Sequence, residues 1–99
     1  MSQYLLTPEA VDDLNAVEEY LSQRSPGVAG RVLAELREAM RRLAGMPGIG
    51  HLREDLADEP LRFWTVYSYL IVYRPETKPL QIIRVLHGAR DVKAILEDG

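Results

Sequence analysis

Three runs in the second half of the chain decide the fold: Leu61-Arg62-Phe63-Trp64-Thr65-Val66-Tyr67, Tyr69-Leu70-Ile71-Val72-Tyr73-Arg74 and Leu80-Gln81-Ile82-Ile83-Arg84-Val85-Leu86. Each is short and rich in the β-branched and aromatic side chains that suit a pleated, half-buried strand. Ser68 separates the first two, and Pro75-Glu76-Thr77-Lys78-Pro79 the second two. Both gaps are of hairpin length, so the three runs predict an antiparallel meander. His87-Gly88-Ala89-Arg90 ends the pattern, and Asp91 is placed to cap a short terminal helix through Val92, Ala94, Ile95 and Leu96.

Upstream, the period changes from two to 3.6. Ser25-Pro26 reads as a cap followed by a first-turn proline, and Ala29, Val32, Leu33, Leu36, Met40 and Leu43 form one apolar stripe. On the other face Arg31 with Glu35, and Glu38 with Arg42, are spaced for i, i+4 pairs worth roughly 0.2–0.5 kcal/mol each. Gly45, Pro47, Gly48 and Gly50 stop this helix, and the polar segment from His51 to Pro60 reads as loop or a single turn. Before it, Thr7-Pro8-Glu9 opens a helix that runs to about Gln23, with Ala10, Leu14, Val17 and Leu21 on its stripe. So short a link between two helices predicts an antiparallel hairpin. Gln3-Tyr4-Leu5-Leu6 reads as a strand that joins the meander, since it is too short to stand alone. The expectation is one α+β domain over residues 1–99, in the order β-α-α-β-β-β-α. The helical hairpin packs on one face of an antiparallel sheet, and the short C-terminal helix covers part of the other.

The 99 residues, 46% hydrophobic and 27% charged, match a single globular domain. The absence of Cys excludes a disulfide framework, a thiol nucleophile and a Cys-based zinc site. His51 and His87 are too few for a histidine metal cage, so no metal is expected. The longest apolar run, Tyr69 to Tyr73, is far short of the ~20 residues of a membrane span. The start of the chain lacks the basic and apolar regions of a signal peptide, so a cytoplasmic protein with no membrane partner is expected. The net charge of −3 is distributed as −5 over residues 1–20, zero over 21–60 and +2 over 61–99. An acidic chain is a poor binder of nucleic acid through bulk electrostatics, so no direct DNA binding by the chain alone is expected.

Local motifs narrow the chemistry further. None of the serines stands in a Gly-x-Ser-x-Gly elbow, and Gly45-x-x-Gly48-x-Gly50 lacks the Lys-Ser/Thr of a phosphate loop. Ten of the twelve bases are Arg, the side chain suited to bidentate recognition of carboxylate or phosphate. Arg62, Arg74 and Arg84 lie in or at the end of three different strands, and Arg90 lies just past the last, near His87. A period of two puts Leu80, Ile82, Arg84 and Leu86 on one face, and Gln81, Ile83, Val85 and His87 on the other. Arg84 then interrupts an apolar face, which requires a partner or a wet cleft. It is either an edge arginine paired with a carboxylate, or part of a cationic cleft for a carboxylate-rich peptide or a phosphodiester. His87 has the pKa for acid–base work near neutrality, although a lone His before Gly more often donates a hydrogen bond that steadies a turn.

The element order combines with Gly48-Ile49-Gly50-His51-Leu52-Arg53, Tyr69-Leu70-Ile71-Val72-Tyr73-Arg74 and Ile82-Ile83-Arg84-Val85-Leu86-His87-Gly88-Ala89-Arg90-Asp91. Together these resemble the RelE/ParE toxin superfamily, closest to ParE-type toxins of type II toxin–antitoxin systems, over almost the whole chain. The resemblance implies a small bacterial toxin neutralised by a cognate antitoxin. RelE-like members cleave mRNA on the ribosome, whereas ParE-like members are associated with inhibition of DNA gyrase. A nuclease site here would draw cations from Arg53, Arg62 and Arg84 and an acid or base from His87. Yet the loop from His51 to Pro60 holds no Lys, and Ala94-Ile95-Leu96-Glu97-Asp98-Gly99 lacks the terminal aromatic or basic signature of nuclease members. With a pI near 5.3, docking on ribosomal RNA is also less natural. The ParE-like alternative is therefore favoured, with no catalytic residues and no cofactor; a non-toxic interaction module of the same fold is the third reading. An antitoxin tail is expected to lie against Val11, Leu14, Val17, Val32, Leu36 and Met40 of the hairpin. Its carboxylates would meet Arg74, Arg84 and Arg90 of the sheet.

Overall fold

A computed structural model describes residues 3–98; Met1, Ser2 and Gly99, the ends of the expected domain, lie outside the described residues. The elements are β1 (Tyr4–Leu6), α1 (Pro8–Arg24), α2 (Pro26–Gly45), a 3-10 turn (Pro47–Ile49), β2 (His51–Leu52), β3 (Arg62–Val66), β4 (Tyr69–Arg74), β5 (Leu80–His87) and α3 (Val92–Asp98). The fold is α+β, a helical hairpin on a five-stranded mixed sheet of order β1-β5-β4-β3-β2.

The meander β3-β4-β5 is antiparallel as its hairpin-length gaps require. β1 joins it parallel to β5, with Tyr4 opposite Leu80 and Leu6 opposite Ile82. The segment expected to be loop after Gly50 contributes a further strand: His51 and Leu52 pair with Phe63 and Arg62. Two residues are too few to leave a periodic signal in sequence.

Local chemistry explains the helix boundaries. Thr7 Oγ1 accepts the Ala10 N–H at 3.1 Å, and Pro8 occupies the first turn, where its missing N–H costs nothing. The same Thr7 hydroxyl donates to the Ile83 carbonyl at 2.7 Å, tying the start of α1 to β5. Ser25 stands at the start of α2 without a side-chain cap bond. Its backbone serves both helices instead, donating to Leu21 C=O at 2.7 Å and accepting from Ala29 N–H at 3.0 Å. Asp91 caps α3 through the Ala94 N–H at 3.2 Å.

Two cores lie on opposite faces of the sheet. The larger joins Leu14, Val17, Val32, Leu36, Met40 and Leu43 of the hairpin to Ile71, Tyr73, Leu80, Ile82 and Val85. The smaller gathers Leu61, Phe63, Val72 and Leu86 beneath Val92 of α3, with Ile95, Leu96, Leu56 and Ala57 at its margin. This placement corrects the expected alternation of β5. The register passes from Val72 opposite Arg84 to Tyr73 opposite Ile82, so Ile83 is an extra, bulged residue. Beyond the bulge the phase is reversed. Val85 joins Leu80 and Ile82 on the hairpin face, while Leu86 turns to the α3 face.

The side-chain pairs on α2 also differ from the expected i, i+4 spacing. Glu38 bonds Arg41 at 2.6 Å, and Arg42 lies over the Trp64 ring at 5.8 Å.

Candidate functional site

Arg84 is not a cation awaiting a ligand. Its Nε and Nη2 donate to the two Asp13 carboxylate oxygens at 2.7 and 2.8 Å, and Asp13 Oδ2 also accepts the Val85 N–H at 2.9 Å. Asp13 is buried on α1, and its hydrogen bond holds the guanidinium pKa above its ordinary value. β1 ends at Leu6, so the outer edge of β5 has no strand partner past Ile82. Thr7 and Asp13 satisfy that edge from the side of α1. Of the two readings left open for Arg84, the structure shows the paired one.

The other candidate nuclease residues are scattered. Arg53 forms a bidentate pair with Asp55 at 3.0 and 2.8 Å on an exposed loop, and that bond raises the arginine pKa and lowers that of the carboxyl. Arg62, opposite Tyr73, donates to the Gly50 carbonyl at 2.7 Å. His87 closes β5 at the far end of the strands, opposite Tyr69, whose ring it meets edge-on at 5.4 Å. Its Nδ1 accepts the Ala89 N–H at 3.1 Å, so it steadies the turn as an acceptor rather than as a donor. The four residues are not brought together.

The residues expected to receive an antitoxin divide sharply. Leu14, Val17, Val32, Leu36 and Met40 belong to the domain's own core, where the stripes cover the sheet, although Val17 and Val32 also border a cleft beside it. Val11 remains 41% exposed. Arg74 pairs with Glu59 at 2.9 Å and Arg84 with Asp13, while Arg90 is exposed past the end of β5.

What the structure adds is a cleft of about 770 Å³ where the Ser25 end of the hairpin faces the ends of β4 and β5. Val17, Leu21, Val28 and Val32 form one wall, and Tyr69, Val85 and His87 the other. Tyr20 and Tyr67 also line it, and Arg31 and Arg90 contribute the cations. Tyr67 is the first residue of the two-residue β3–β4 turn and has a positive φ of 55°, unusual for a bulky side chain. Its phenol pKa is raised by the neighbouring Glu35 carboxylate, while burial raises that of Tyr69. Tyr20 and Val28 escaped the sequence reading because they stand off the helical stripes, and Tyr67, read as the end of a strand, lies in the turn after β3.

The opposite end of the hairpin is closed. The Tyr73 hydroxyl, in a fully buried side chain, donates to Pro47 C=O at 2.7 Å and accepts the Gly50 N–H at 3.0 Å. A Cβ on Gly50 would run into that hydroxyl, which accounts for glycine there. On the α3 face a second cleft of about 430 Å³ is lined by Glu9, Glu59, Arg74, Ile83, Arg84 and Leu96, with both arginines already paired. Among the described residues no group of three or more His, Asp or Glu side chains is arranged to hold a metal ion, and no helix is long and apolar enough to cross a membrane.

Comparison with known proteins agrees with this architecture. A family model described as the ParE toxin of the type II toxin–antitoxin system parDE matches residues 4–92. The chain is 33% identical over 90 residues to Toxin RelE2 of Caulobacter vibrioides, covering 91% of this chain and 99% of that protein. It shares its fold, at a TM-score of 0.69 and 23% identity, with a chain from the chromosomal ParDE system of P. aeruginosa; the alignment covers 88% of this chain and 96% of that one. The family match runs from the first strand to the first residue of the terminal helix, and the chain belongs to the ParE toxin family of type II toxin–antitoxin systems.

Proposed function

We propose that this toxin acts in the cytoplasm without catalysis of its own, by binding and inhibiting DNA gyrase, and that a cognate antitoxin neutralises it. The observation that carries the non-enzymatic reading is the dispersal of the candidate nuclease residues. Cleavage by a ribose 2′-hydroxyl needs a proton acceptor, a donor to the leaving oxygen and cations on one phosphate. Here Arg53, Arg62 and Arg84 are engaged by Asp55, Gly50 and Asp13, and His87 lies at the far end of the strands. Recruiting them would require breaking the Asp13–Arg84 pair that holds α1 on β5. Family membership supports the gyrase target and the antitoxin partner, and the acidic composition supports a protein target over RNA.

Two assays on the purified chain test this reading. Gyrase supercoiling should fall as the toxin is titrated in, while mRNA on programmed ribosomes stays intact. Cleavage lost in the Arg53→Ala, Arg62→Ala, Arg84→Ala or His87→Ala variant would replace gyrase inhibition with the nuclease reading. Activity in neither assay would favour a non-toxic interaction module.

A further inference from the structure

The two edges of the sheet are finished differently. Past Ile82 the outer edge of β5 is covered by α1, where Thr7 donates to the Ile83 carbonyl and Asp13 accepts the Val85 N–H. On the opposite edge β2 pairs only with Phe63 and Arg62. Among the described residues, Trp64, Thr65 and Val66 are paired with β4 alone. His51, stacked on Trp64 at 6.2 Å, bounds this open window at one end, and the Tyr67–Ser68 turn at the lip of the cleft bounds it at the other. Exposed strand edges are commonly blunted by a charge, a proline or a bulge. Trp64-Thr65-Val66 has neither charge nor proline, and its register with β4 is unbroken.

The window is complementary to itself. Trp64 and Val66 pack against the core under the hairpin, and Thr65 between them is exposed on the other face. An antiparallel second copy with Thr65 opposite Thr65 sets Trp64 opposite Val66 twice. Threonine pairs and aromatic–β-branched pairs are favourable cross-strand neighbours. The charges of α2 match about the same axis. Arg42 lies over Trp64 at 5.8 Å, and Glu35 neighbours the Tyr67 phenol at the other end of the window. Both side chains are exposed, and among the described residues neither makes an ion pair. A two-fold axis at Thr65 brings Arg42 of each copy toward Glu35 of the other.

We propose that this edge is a self-association surface, on which two copies of the chain pair β3 with β3 antiparallel across a two-fold axis at Thr65. The pairing joins two five-stranded sheets into one and closes the edge that each copy leaves open. Each strand leaves the window at its own Tyr67 turn, so it ends before it reaches the other copy's His51. A contact built on so short a window lies at the small end of specific interfaces, and the dissociation constant should be on the order of tens of micromolar. The inference uses the fold alone and does not depend on the gyrase reading.

Sedimentation velocity of the purified chain from about 1 to 500 μM tests it, because that range brackets the expected constant. The weight-average mass should rise from that of one chain toward that of two. Thr65→Lys sets like charges face to face at an exposed position; it should keep the wild-type melting curve and stay monomeric throughout. Arg42→Glu and Glu35→Arg should each weaken the dimer by about tenfold, and the two together should return it to within about threefold of wild type. Amide hydrogen exchange should slow within Trp64–Val66 as the concentration rises. A wild-type chain that is monomeric at every concentration would overturn the proposal. So would a dimer that survives Thr65→Lys, or one whose added protection falls on Tyr4–Leu6. A double exchange no tighter than either single change would remove the axis at Thr65.

Discussion

The two ends of the helical hairpin meet the same sheet in opposite ways, and tyrosines mark both. At the Gly45–Gly50 end, Tyr73 is fully buried and its hydroxyl joins Pro47 to Gly50, while Arg62 donates to the Gly50 carbonyl. At the Ser25 end, Tyr20 and Tyr67 stay more than half exposed beside an apolar cleft. One end spends its polar groups on internal hydrogen bonds, and the other leaves apolar surface uncovered. The hairpin is thus tied down at one end and open at the other, with the Asp13–Arg84 pair anchoring α1 to β5 between them.

Removing that intermediate anchor should have the largest effect. Asp13→Ala leaves a partly buried guanidinium and the Val85 N–H without their acceptor, and the loss should be about 2–4 kcal/mol in denaturant unfolding. A loss no greater than that of a surface mutation would mean that α1 is held on β5 by apolar packing alone.

A smaller loss is expected at the closed end. Tyr73→Phe strands the Gly50 N–H and the Pro47 carbonyl, at a cost of about 1–3 kcal/mol. It should also change the alkaline limb of the stability curve. Burial raises the Tyr73 pKa above its ordinary value of 10.0. Above pH 10 the unfolded tyrosine therefore ionises first, and wild-type stability falls as pH rises toward the folded value. Melting curves between pH 9 and 11 should be flatter for Tyr73→Phe; identical slopes would remove Tyr73 as the source.

The smallest effect belongs to the open end. Tyr67→Gly removes the unfavourable positive φ but frees the unfolded chain, so its net change should stay within about 1 kcal/mol. Differential scanning calorimetry would detect more. A loss comparable to that of Tyr73→Phe would show that the Tyr67 lip is structural, and the contrast between the two ends would collapse.

The helices, the meander and two of the caps were legible because each leaves a local pattern: a 3.6 period, a period of two, or a polar residue at a helix start. β2 was not, since a pair of residues has no period. The bulge was hidden by Ile82-Ile83, whose successive apolar side chains look alike whichever face each occupies. The need of Arg84 for a partner could be read from its apolar neighbours. That the partner is Asp13, 71 residues away, could not, because it depends on where β1 ends and α1 crosses the edge of β5. What covers the hairpin stripes was hidden for a related reason. An apolar stripe shows that a helix face is covered, and only the assembled layers show whether a partner or the domain's own sheet covers it.

The pairing of Tyr4–Leu6 with Leu80–Ile82 imposes an order on biosynthesis. The hairpin is translated first, but its apolar stripes have no sheet to cover until β3, β4 and β5 follow. At ~5–20 residues per second, the stretch from the end of α1 to His87 takes several seconds to synthesise. The first strand has no neighbour in that interval, because the strand it pairs with is the last one made. The cleft, with walls drawn from α1, α2, β4 and β5, is completed only once β5 is in place. A nascent chain therefore cannot present this surface to any partner until its sheet has closed.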